Sequence, residues 1–167
     1  MKKYNLKLWI ISFCICIMAI IIIAKDRYTE KEVWNELLKL DANTSIDDLK
    51  ENGYIDVSQV MDSPNNEIDS FLKRAKDKKS GILRIATILD GKLCAKILIY
   101  DQELNAIKMW TMYPNQQQAD SPGKCFSPEA YEIKETDITT VFLKNIPDPS
   151  IPNNQTTLLD EKLYSYH

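Results

Sequence analysis

Residues 81–100 read GILRIATILDGKLCAKILIY, two runs of aliphatic and β-branched residues joined by Asp90-Gly91. Asp-Gly between such runs is a strong hairpin signal, because both central positions of a type I′ turn need positive φ. With these two residues in the loop, Leu89 stands opposite Lys92 and the pairing runs back to Ile82 opposite Ile99. Alternation then gathers Ile82, Ala86, Ile88, Leu93, Ala95, Ile97 and Ile99 on one face, interrupted by Arg84. The other face carries Leu83, Ile85, Thr87, Leu89, Lys92, Cys94, Lys96, Leu98 and Tyr100, which is too apolar to stand fully in water.

The first face needs a cover, and the segment just upstream offers one. Ser63-Pro64 opens a helix, Ile68, Phe71, Leu72 and Ala75 form its apolar side, and Ser80-Gly81 ends it. The C-terminal tail is expected over part of the second face. Residues 106–113 make a third strand, in which Ile107, Met109 and Tyr113 alternate with Lys108, Trp110 and Met112. Residues 114–124, PNQQQADSPGK, read as a polar, turn-rich loop. Residues 131–134 and 139–143 read as further strands, and Pro147, Pro149 and Pro152 break regular structure before the tail.

Upstream, Thr29-Glu30-Lys31-Glu32 has the form of a capping box, followed by Val33, Leu37 and Leu40 at helical spacing. Ser45 caps a second short helix with Asp47 and Asp48 near its positive end, and Gly53 stops it. A short strand is expected over 54–60.

The run LWIISFCICIMAIIIIA, which opens at Leu8 and closes at Ala24, holds no charged residue. At about 1.5 Å per residue it reaches roughly 25 Å, the short end of the spanning range. Lys2, Lys3 and Lys7 precede it without an acid, which orients the N-terminus toward the cytoplasm. A cleaved signal peptide is the competing reading, and both readings export the rest of the chain. The organisation expected is a basic cytoplasmic N-terminus over 1–7, a transmembrane helix over 8–24 contacting membrane lipid and a juxtamembrane helix over 25–43. An α+β extracytoplasmic domain over 44–146 and a Pro-containing tail over 147–167 follow. The fold class expected is therefore α+β, an N-terminal transmembrane helix and then a small antiparallel sheet with one main helix packed on one face. The localisation expected is the cell membrane, single-pass.

All 24 acids follow residue 24, together with 18 of the 21 basic residues. That balance argues against a nucleic-acid partner, which needs a basic footprint. Cys14 and Cys16 lie in the apolar run. Cys94 and Cys125 remain as a candidate disulfide closing a loop of about 30 residues, or as two thiols.

Catalytic, cofactor and metal residues are not assigned. The one histidine, His167, is the last residue, so chemistry and zinc sites built on histidine are disfavoured. The four glycines stand beside turns or helix ends and make no phosphate loop. Arg84 admits two readings, a guanidinium for the carboxylate of a ligand or partner, or one paired to an acid of the covering helix. Trp110, Met112 and Tyr113 are candidates for a partner-contact surface or for core packing.

Asn52-Gly53 before a strand, the Ile68-x-x-Phe71-Leu72 helix, Gly81-Ile82-Leu83-Arg84-Ile85 and the Asp90-Gly91 hairpin ending at Tyr100-Asp101 form a layout. It resembles small exported or membrane-tethered domains of unknown function from Gram-positive bacteria. The resemblance implies no activity and no functional residue.

The function expected is a membrane-anchored, extracytoplasmic, non-enzymatic binding or interaction domain with a protein or peptide partner. The alternatives are a histidine-independent carboxylate hydrolase and a regulatory single-pass membrane subunit.

Overall fold

The Asp90-Gly91 turn forms as its dipeptide requires, with φ of 50° at Asp90 and 74° at Gly91. The register is the expected one, from Leu89 opposite Lys92 to Ile82 opposite Ile99. A computed structural model describes residues 28–116, 118–147 and 159–167. Its elements run α1 (Glu30–Leu37), α2 (Ile46–Glu51), β1 (Ile55–Asp56), α3 (Asn66–Lys76), β2 (Ile82–Leu89), β3 (Lys92–Asp101), β4 (Ala106–Tyr113), β5 (Gln118–Glu135), β6 (Ile138–Asn145) and β7 (Glu161–Tyr166).

The strands make one curled seven-stranded sheet in the order β1 to β7, antiparallel throughout except for the β1–β2 pair. The expected α+β class with a small sheet is thereby corrected: strand dominates, and the architecture is a mostly-β half-barrel. Two segments account for the difference. The turn-rich stretch over 114–124 is mostly the start of β5, which pairs with β4 from Gln118 onward. Pro128 lies inside β5, where the β5–β6 register shifts between Phe126 and Ala130. That irregularity accommodates a residue with no N–H for the ladder. The C-terminal residues do not lie over a sheet face; they join the sheet as β7.

The segment after α2 touches both sheet edges. Ile55 and Asp56 pair with β2, and Val57 N–H donates to Ala86 O at 2.9 Å. Asp56 Oδ1 then accepts from Ser58 N and Oγ, which ends the expected strand after two residues and turns the chain. Met61 next bridges to β7, donating to Ser165 O and accepting from His167 N. One short stretch thus links the first edge of the sheet to the last.

The helices are capped by local chemistry. Thr29 and Glu32 close the capping box on α1, and Ser45 and Asp48 do the same on α2. The cap of α3 is Asn65, whose Oδ1 accepts from Glu67 N and Ile68 N, two residues beyond the expected Ser63.

The hairpin has its expected two apolar faces, but α3 covers the face opposite to the expected one, and α1, not the C-terminal tail, supplies the other cover. Helix α3 packs Ile68, Phe71 and Ala75 inside the curl against Leu83, Ile85, Leu98, Tyr100, Ile107, Met109, Phe126, Val141, Leu143 and Tyr164. The outer face, with Ala86, Leu93, Ala95, Ile97, Trp110 and Met112, is covered by Val33 and Leu37 of α1 and by Leu49 and Tyr54.

Among the described residues no helix is long and apolar enough to cross a membrane. The expected transmembrane helix over 8–24 and the expected basic segment over 1–7 lie outside the described residues, as does the start of the expected juxtamembrane helix. Against the expected single-pass membrane localisation, no candidate membrane span is found among the described residues.

Candidate functional site: a cleft at the end of the sheet

The start of β2, the end of β3 and the N-terminal turns of α1 and α3 surround a cleft of about 840 Å³. The cleft straddles the end of the sheet: its apolar lining is Ile55, Phe71, Leu83 and Tyr100 on the inner side and Ile99 and Trp110 on the outer side, and Arg74, Arg84, Lys108, Glu30, Glu67 and Glu103 supply its charged groups. Gly81 also lines it. A Cβ there would meet Phe71 Cδ2 at 3.3 Å, so glycine lets the strand pass close to α3.

Arg84 is held by a carboxylate, although not from the helix expected to supply it. Its Nε and Nη2 donate to Oε1 and Oε2 of Glu36 on α1 at 2.6 and 2.8 Å, a two-pronged ion pair. The hydroxyls of Tyr28 and Tyr54 also donate to Glu36, and the Tyr28 ring lies 5.1 Å from the guanidinium carbon. Burial pushes the Glu36 carboxyl up, but the bonds from Arg84, Tyr28 and Tyr54 outweigh it and hold it below the usual carboxylate range. Glu36 raises the Arg84 pKa further still against partial burial. Burial and the neighbouring Glu36 push the Tyr54 hydroxyl up.

Lys108 sits between Glu30 at 2.7 Å and Asp101 at 3.4 Å. Partial burial lowers its pKa, but the two carboxylates outweigh that and raise it overall. Arg74 donates through Nε and Nη2 to Ser80 O, fixing the turn between α3 and β2.

Of the residues expected to contact a partner, Arg84 and Trp110 line the cleft. Trp110 and Met112 are both buried under α1 on the outer face, so they are chiefly core and do not form an exposed aromatic surface. Tyr113 is half-buried at the end of β4, away from the cleft lining. The Cys94–Cys125 bridge is not formed. Cys94 stands opposite Thr87 on the face of Lys96 and Thr111, whereas Cys125 stands opposite Lys108 on the reverse face. No group of three or more His, Cys, Asp or Glu among the described residues is placed to hold a metal ion.

Sequence reasoning missed Glu36, although a signal existed. It lies between Val33 and Leu37, both fully buried, so a carboxylate beside the buried stripe had to find a cationic partner. Tyr28 and Tyr54 carried no comparable signal.

Comparison with protein-family models, with curated proteins and with solved structures finds no match in any of the three.

Proposed function

We propose that this chain is a non-enzymatic binding domain and that its ligand occupies the cleft between α3, the start of β2 and the start of α1. The observation that carries this reading is a preformed concavity of about 840 Å³ lined by both apolar and charged side chains. That size and lining are those of ligand sites in general. The cleft's cations support a receptor over a catalytic centre, because Arg84 and Lys108 are fixed in ion pairs that hold the walls in place.

The test is amide chemical-shift mapping of the full-length protein against a panel of linear peptides and small polar metabolites. Saturable shifts at Phe71, Leu83, Tyr100 and Trp110 are expected. They should vanish in Ser70→Trp, which fills the cleft from an exposed position of α3. Shifts confined to other surfaces sink the reading.

A second reading, carboxylate-dependent hydrolysis without histidine, is favoured by one observation: Glu30, Glu67, Asp101 and Glu103 all line this cleft. It ranks second because Glu30 and Asp101 are engaged with Lys108, and Asp101 Oδ1 also accepts from Glu103 N and Leu104 N.

A further inference from the structure

Strand β2 is paired along its whole length with β3 but only briefly with β1, through Ile55 opposite Ile85 and Asp56 opposite Ala86. Its first residues, Ile82 to Arg84, extend past the beginning of β1, and there the strand borders the cleft. The hydrogen-bond phase along β2 is fixed from both sides. Tyr100 N–H donates to Gly81 O at 3.2 Å, and Val57 N–H donates to Ala86 O at 2.9 Å. Odd-numbered residues therefore bond to β3, while even-numbered residues turn their N–H and C=O groups the other way. The N–H groups of Ile82 and Arg84 and the C=O of Ile82 consequently face the cleft, unpaired by any strand among the described residues.

We propose that the cleft takes an extended peptide, which adds to the sheet beside β1 by pairing main chain to main chain with Ile82 and Arg84. This deepens the binding-domain reading above and rests on it. Open backbone donors and acceptors in a row are matched by another backbone, the chemistry of strand addition. At about 3.3 Å per residue the open stretch accommodates three or four ligand residues. Their side chains alternate between the Phe71–Leu83 side and the Tyr28–Arg84 side, both of which line the cleft. Phe71, Leu83 and Tyr100 receive one set of side chains, and Tyr28 and Arg84 receive the other.

The test takes a linear peptide selected from a displayed random library against the full-length protein. It follows amide hydrogen exchange at Ile82, Leu83, Arg84 and Ile85. In the free protein Ile82 and Arg84 should exchange quickly and Leu83 and Ile85 slowly. The bound peptide should slow Ile82 and Arg84 at least tenfold, and N-methylation of alternate amides in that peptide should weaken binding roughly tenfold each. Protection of Ile82 and Arg84 already present in the free protein overturns the proposal. A peptide that shifts Phe71, Tyr100 and Trp110 while leaving those two amides unchanged also overturns it, with the cleft reading intact. Failure of every peptide and metabolite to shift the cleft residues overturns both.

Discussion

Arg84 on β2 and Glu36 on α1, 48 positions apart in the chain, form a two-pronged ion pair with bonds of 2.6 and 2.8 Å. This pair fastens the first helix to the sheet at the mouth of the cleft. Both side chains are 23 % exposed, so the bond is shielded but not dry. Glu36→Ala leaves Arg84, Tyr28 and Tyr54 without their shared acceptor. It should cost about 2–3 kcal/mol, below the range for a fully buried pair. Arg84→Met with Glu36→Leu should recover most of that loss, as read by urea unfolding.

The same carboxylate sets an acid limit. Glu36 titrates lower in the folded protein than unfolded, so its contribution is full above the unfolded value of about 4.3 and is lost as pH falls through the lower folded one. Stability should therefore fall on acidification below about pH 4, and Glu36→Gln should flatten that part of the profile. An unchanged acid slope in Glu36→Gln places the titration elsewhere.

Inside the curl, Lys96 of β3 reaches Glu161 of β7 at 2.5 Å, with Lys124 at 3.6 Å from the same carboxylate. Lys96 is only 6 % exposed, and its partner comes from the far side of the sheet. Glu161→Gln leaves a buried ammonium without its counter-charge and should destabilise by about 3 kcal/mol. Lys96→Met combined with Glu161→Leu should restore most of it. Thermal melts of the three variants decide this, and a double variant as unstable as Glu161→Gln assigns the cost to lost packing.

Gly91 has φ of 74°, and a Cβ there meets nothing within 4 Å. Gly91→Ala therefore tests backbone strain alone and should cost about 1 kcal/mol by denaturant unfolding. Gly81→Ala acts differently, through contact with Phe71, and should alter cleft residues that Gly91→Ala leaves untouched.

Cys94 and Cys125 are buried on opposite faces of the sheet. Reductant should leave the melting temperature unchanged. Peptide mapping of the unreduced protein should find no Cys94–Cys125 cross-link. A lowered melting temperature in reductant runs against the register described above.

Much of the local structure was legible in the residues. Asp90-Gly91 determined the hairpin and its full register, Thr29 to Glu32 the start of α1, and Ser45 to Asp48 the start of α2, because each depends on residues a few positions apart. The identity of residues sharing a hairpin face was equally plain, since alternation is a property of the strand itself. Which helix covers which face was not, because both faces are apolar and hydrophobic burial has no direction. Helix α3 went inside the curl and α1 outside it. The partner of Arg84, the joining of β7 to Met61, and the open edge at Ile82 and Arg84 were likewise settled only in three dimensions. Each depends on how far β1 runs and how the sheet curls, so it arises between distant segments that no local pattern of residues links.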